Sequence, residues 1–138
     1  MSSEKIYPVP GIRIGVIEAG IRKKNRKDLV LFELDPQSRV AGVFTRNRFC
    51  AAPVVVAKEH LKKARPRYLL VNTGCANAGM GKQGLVDARE SCRAVAKLVN
   101  CTSEQVLPFS TGVIGEPLNM EALVKALPAA VQAFSVDA

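Results

Sequence analysis

Thr111 and Gly112 are the residues of this 138-residue chain best suited to chemistry. They sit in Leu107-Pro108-Phe109-Ser110-Thr111-Gly112-Val113-Ile114-Gly115-Glu116. An apolar run ends abruptly in Ser-Thr-Gly, a second apolar pair leads to Gly115, and a helical pattern follows. Small and hydroxyl-bearing residues where a strand runs towards a helix let backbone N–H groups point at a ligand, and glycine lets that ligand approach closely. A Thr hydroxyl beside a Gly N–H supplies two donors, enough for an oxyanion hole. The same residues also suit a plain tight turn between strand and helix. Residue types alone leave both readings open.

Other candidates are weaker. His60 is the only histidine. Nothing nearby in sequence would orient it, so it reads as a surface residue of a short helix over residues 58–63. A single histidine also argues against a complete Ser-His-Asp or Cys-His site. Cys50, Cys75, Cys92 and Cys101 contain no C-x-x-C pair, which leaves a zinc site without support. They read as reduced, mostly buried thiols. Cys75 is an alternative nucleophile, but no basic residue adjoins it. Neither G-x-x-x-x-G-K-[ST] nor G-x-G-x-x-G occurs, so no phosphate loop or dinucleotide fold is indicated. No metal or cofactor ligand set emerges.

The net charge is +8, concentrated in the first half. Residues 1–70 carry 15 Lys/Arg against 6 Asp/Glu, and residues 71–138 carry 5 against 6. Arg22-Lys23-Lys24-Asn25-Arg26-Lys27 holds much of the excess. Such a run can bind nucleic acid, but it lacks interleaved aromatics and lies between two apolar stretches. A solvated hairpin tip fits it better. No run of about 18 apolar residues could span a membrane. Residues 1–5 lead into no signal-peptide core, so the default location is the cytoplasm.

The elements that must position Thr111 follow from patterning. Residues 11–17 and 28–34 read as strands joined by the basic loop, and Asp35-Pro36-Gln37-Ser38 reads as a turn. Residues 39–45 read as the next strand of an antiparallel meander, and Val54-Val55-Val56 as a buried strand. Residues 68–71 form a near-continuous apolar strand of central type. Residues 72–81 are small and polar, a loop that could cradle a ligand. Over residues 82–99, Leu85, Ala88, Cys92, Val95, Ala96 and Val99 share one helical face, and Asn100 is a plausible stop. Arg89, Arg93 and Lys97 form mildly unfavourable i,i+4 pairs on that helix. Met120, Leu123, Val124 and Leu127 mark a second helix with Asn119 as N-cap, which Pro128 ends or kinks.

Three separated segments resemble signatures of the ornithine acetyltransferase (glutamate N-acetyltransferase) family of arginine biosynthesis. They are residues 43–53 (VFTRNRFCAAP), 71–78 (VNTGCANA) and 110–116 (STGVIGE). They occur in the family's order and span most of the chain. The resemblance implies a precursor that cuts itself into α and β chains, the new N-terminal Thr of the β chain being the nucleophile. That Thr takes acetyl from N-acetylornithine and passes it to glutamate; some members also use acetyl-CoA. The implied fold is α/β: a layered α-β-β-α sandwich of the N-terminal-nucleophile kind with its own topology. Carried onto this sequence, the family's oxyanion pair falls on Thr111 and Gly112, which turns the balance there towards the oxyanion hole.

Two departures stand out. The family's self-cleavage junction and a Thr-rich substrate segment are absent, so residues 1–138 are expected to be a single partial domain, the α-chain portion. Alone it is expected to be inactive, and its partner is a β chain in an αβ hetero-oligomer. The glycine loop usually reads Gly-Asn-Ala-Asn, whereas position 75 is Cys, which is expected to weaken local hydrogen bonding. Nucleic acid and membrane are not expected partners. The rival readings are a self-processing amidohydrolase or aminopeptidase of related fold, and a non-catalytic basic module binding through residues 22–27.

Overall fold

A computed structural model describes residues 7–137; residues 1–5, read above for a leader, lie outside them. Four strands, β1 (Ile12–Ile17), β2 (Leu29–Leu34), β3 (Tyr68–Cys75) and β4 (Val106–Val113), form one sheet in chain order. The β1–β2 and β2–β3 pairs are antiparallel, and β3–β4 is parallel. A parallel pair needs a crossover. Helix α2 (Gly81–Val99) supplies it, while α1 (Ala52–Lys63) lies between β2 and β3 and α3 (Met120–Gln132) follows β4. The architecture is mixed α/β, with β3 in the interior of the sheet as its apolar run predicts.

The two sheet faces differ. Leu29, Leu31, Leu70 and Val106 share one core with Val56, Cys92, Val95, Leu123 and Leu127 of the three helices. Alternation along each strand sends their neighbours to the other side. Ile14, Val16, Val30, Phe32, Leu69 and Val71 are only half-buried there, and Phe109 is exposed. None of them belongs to the core. The sheet therefore has one face covered by helices and one apolar face that is not.

Two expected strands are absent. Residues 39–45 run as irregular chain, with Val43 fully exposed. Both edges of β2 are already paired, with β1 and β3, so no ladder beside it is open to them. Val54-Val55-Val56 lies inside α1. Their β-branched preference is overridden by packing: Ala52, Pro53, Val56, Ala57 and His60 fall on one buried helical stripe. Pro53 sits in the first turn, where its missing N–H leaves no intrahelical bond unmade. His60 belongs to that stripe and is buried, not at the surface. Its Nδ1 lies 2.8 Å from the Val106 carbonyl. A carbonyl only accepts, so Nδ1 carries the proton and ties α1 to the start of β4.

The helix over residues 82–99 is present, one residue longer at its start, and Asn100 closes it in the left-handed conformation (φ 55, ψ 53). The like-charged neighbours on it are compensated. Arg89 reaches Glu59 of α1 at 2.9 Å, and Arg93 pairs with Glu90. Asn119 caps α3 by accepting from the Ala122 N–H at 3.1 Å. Pro128 lies inside α3, which continues to Gln132. After it, Ser135 bridges the open edge of β1 through two bonds with Ile14, of 2.9 and 3.1 Å.

All four cysteines are free, two buried and two half-buried. Burial pushes the Cys92 thiol up to about 12. In the unfolded chain a thiol ionises near pH 8.5. The stability tied to the neutral thiol is thus complete below about pH 8.5 and declines as pH rises towards 12. Urea unfolding from pH 8 to 10 is expected to show this loss, and Cys92→Ala to lessen it, the rest coming from Cys101 and Tyr68, which burial also pushes up. A packing prediction concerns Gly15. A Cβ there would lie 2.0 Å from the Ala130 carbonyl oxygen, so α3 rests on bare β1 backbone. Gly15→Ala is expected to cost about 1–3 kcal/mol, read as a lower urea midpoint with an unchanged slope.

Candidate active site

Parallel pairing brings two Thr-Gly dipeptides side by side at the C-terminal ends of β3 and β4. Thr73 faces Thr111, Gly74 faces Gly112, and Cys75 faces Val113. Gly74 and Gly112 both adopt positive φ, 101° and 133°. A Cβ on Gly112 would fall 2.4 Å from the carbonyl carbon of Gly74 and 2.7 Å from the Cys75 nitrogen. Position 112 therefore excludes a side chain on grounds of both space and backbone conformation. The expectation of a strand-to-helix turn needs correction: Thr111 and Gly112 lie within β4, and α3 begins only at Met120. Any anion held here would meet strand-end amides, not a helix N-terminus.

These residues line an open cleft of about 280 Å³. Thr111 lies two residues beyond Phe109, and Thr73 two beyond Val71, so both hydroxyls continue the uncovered sheet face. The opposite wall comes from the β1–β2 loop, through Arg22, Lys23, Arg26 and Asp28. Asp28 moors that loop. Its buried carboxylate accepts from the backbone N–H groups of Ala19 and Ile21, each at 2.7 Å. Its own carbonyl accepts from Thr73 N–H at 2.9 Å.

A second network supports the strand ends from behind. Ser110 Oγ donates to Asn72 Oδ1 at 2.6 Å, and Asn72 Nδ2 donates to the Cys75 carbonyl at 3.0 Å. The Cys75 thiol is buried and lies 3.2 Å from the Glu116 carbonyl, to which it donates. The Glu116 carboxylate in turn pairs with Arg22 at 3.2 Å. Position 75 thus contributes one bond of its own, a weak thiol donor where the family's Asn would offer two donors and an acceptor. Cys75 is not among the residues lining the cleft.

The three sequence segments singled out earlier converge. Phe49 and Ile114 both pack against Gly79, where an added Cβ would meet them at 3.4 and 3.5 Å. Gly115 N–H donates to the Ala78 carbonyl at 2.9 Å, and Ala52 N–H to the Asn77 carbonyl at 3.2 Å. Sequence reasoning did not find the role of the basic loop. Its charges are solvated, as a hairpin tip would be, yet Arg22, Lys23 and Arg26 line the cleft while Lys24 and Lys27 do not. Nor did it single out Asp28, although an acidic residue closing a run of five cations was the available signal.

A family model described as the ArgJ family matches residues 13–138. The chain belongs to the ArgJ family. It is 53% identical over 137 residues to the arginine biosynthesis bifunctional protein ArgJ of Methylococcus capsulatus, covering 99% of this chain and 33% of that protein. The protein of the same name from Pseudomonas syringae pv. tomato is 52% identical over 132 residues, with coverage of 96% and 32%. The chain thus spans about a third of the length of these curated ArgJ relatives. Among solved structures it is similar to the ornithine acetyltransferase of Mycobacterium tuberculosis complexed with ornithine. That match has a TM-score of 0.88 at 33% identity, over 94% of this chain and 69% of the other. The arginine biosynthesis bifunctional protein argJ of Bacillus halodurans gives a TM-score of 0.80 at 34% identity, over 86% and 62%.

The close contact between the paired glycines yields a prediction. Gly112→Ala is expected to separate the ends of β3 and β4 and lower stability by roughly 1–3 kcal/mol through backbone strain alone. Hydrogen exchange should quicken at the β3–β4 pairing while that of β1–β2 stays slow.

Proposed function

We propose that this chain is the α-side portion of a glutamate N-acetyltransferase of arginine biosynthesis, moving acetyl from N-acetylornithine to glutamate. The observation that carries the reading is the Thr111-Gly112 pair, held at a strand end over a cleft in a chain of the ArgJ family. In this reading an N-terminal Thr of a β chain attacks the acetyl carbonyl. The carbonyl oxygen takes up negative charge, and the Thr111 hydroxyl and Gly112 N–H donate to it. Collapse of the tetrahedral intermediate expels the ornithine amine and leaves acetyl on the β-chain Thr. The glutamate amine then repeats the attack, and the same two donors serve again. Some acetyl-CoA use as donor fits the same chemistry.

The uncovered apolar sheet face supports the larger architecture. A second sheet from a β chain would bury Val30, Phe32, Val71 and Phe109 and complete an α-β-β-α sandwich. It would also bring a residue of that sheet towards Thr73 and Thr111, which lie on the same face. An αβ hetero-oligomer in the cytoplasm follows from this reading. Among the described residues no helix is long and apolar enough to cross a membrane.

The test is an acetyl-transfer assay, N-acetylornithine to glutamate, with this chain alone and with the rest of its precursor supplied. Activity is expected only with the added part, and Thr111→Ala should lower kcat at least about a hundredfold. Transfer by the chain alone would overturn the split-site reading. Release of acetyl to water at the same rate without glutamate would point instead to an amidohydrolase.

A further inference from the structure

The cleft beside Thr111 and Gly112 has an unbalanced charge. Arg22, Lys23 and Arg26 line it, and Asp28 is the carboxylate that faces them. Asp28 is buried and both its oxygens are occupied by backbone N–H groups at 2.7 Å, so it is committed to the loop. Arg22 is held by Glu116. Lys23 and Arg26 are exposed and have no ion-pair or hydrogen-bond partner among the described residues. Lysine and arginine side chains are costly to order, yet here the loop that carries them is tied at its base by Asp28, through Ala19 and Ile21, and at its tip by Glu18, which accepts from the Asn25 N–H at 2.6 Å. The cleft of about 280 Å³ is at the small end for a ligand site and has room for an amino-acid derivative.

Resting on the proposed acetyl transfer, we infer that Lys23 and Arg26 form an acceptor-selecting rim that recognises the side-chain carboxylate of a small acidic amino acid. The chemistry of the exchange gives such a rim a direction. The acceptor, glutamate, carries a net negative charge at neutral pH. The released amine, ornithine, carries a net positive one. A cationic rim attracts the first and repels the second, so it loads the acceptor and clears the product between the two half-reactions. The N-acetylglutamate formed has lost its ammonium and carries two negative charges, so it binds this rim more tightly than glutamate does.

The experiment compares Lys23→Gln/Arg26→Gln with Lys24→Gln/Lys27→Gln in the enzyme assembled from this chain and the rest of its precursor. Both variants remove two charges from one loop, but only the first removes them from the cleft. The first is expected to raise the KM for glutamate roughly tenfold, a few-fold per exposed charge, and to flatten its dependence on ionic strength. The second should leave that KM within twofold. Lys23→Arg/Arg26→Lys, which keeps the charge, should restore the wild-type value. Equal effects of the two Gln variants, or a rise confined to the KM of acetyl-CoA, would overturn the inference. An inactive wild-type assembly would overturn the acetyl-transfer reading instead. The rim is then decided by titrating that same assembly with N-acetylglutamate, glutamate and ornithine while following the Gly74 and Gly112 amide resonances. Binding in that order supports it, and indifference to ligand charge overturns it.

Discussion

The structure depends on the approach of two backbones at Gly74 and Gly112. Parallel strands are ordinarily kept apart by their side chains as well as joined by their hydrogen bonds. Here neither strand has a side chain at the point of contact, and a single added carbon would fall 2.4 Å from the neighbouring backbone. That proximity sets Thr73 beside Thr111 and lets the Asn72, Cys75 and Glu116 bonds reach across. The crossover through α2 exists to return the chain to this pairing. The loop holding Asp28 meets the same strand end through Thr73.

The chain divides its sheet between two jobs. One face is a finished core, with Leu29, Leu31, Val56, Val95 and Leu127 almost wholly withdrawn from water. The other is apolar but open, and it changes from aliphatic and aromatic to hydroxyl-bearing at the ends of β3 and β4. The paired Thr-Gly strand ends and the open apolar packing thus occupy the same surface. The chain covers about a third of the length of its ArgJ relatives.

Much of this was legible in the sequence. Residues 82–99 carry a strong helical period, and their ends obey simple capping chemistry at Asn100. The apolar run at residues 68–71 marks a strand with neighbours on both sides. Thr111 and Gly112 stand out by residue type and by the surrounding segments, and they lie paired with Thr73 and Gly74 at the end of β4. The failures have physical causes. Three consecutive valines favour a strand locally, and only the longer stripe of Ala52, Val56, Ala57 and His60 reveals the helix. The alternation at residues 39–45 mimics a strand, but the preceding strand, β2, is paired on both sides with β1 and β3, and the pairing with β3 is made by residues further along the chain. The basic loop could not be aimed at the cleft from composition, since it is held by backbone bonds to the carboxylates of Asp28 and Glu18 and by the Asp28 carbonyl bond to Thr73.

The two bonds to the Asp28 carboxylate have a consequence for how the loop can change. Asp28 holds main-chain groups of Ala19 and Ile21, and it is indifferent to what projects from positions 22, 23 and 26. The path of the loop and the chemistry it displays are therefore specified by separate residues. Substitutions at the exposed positions can alter what the cleft attracts while the scaffold beneath stays in place. Selectivity in this part of the molecule can drift or be redesigned one charge at a time, without the fold having to be rediscovered at each step.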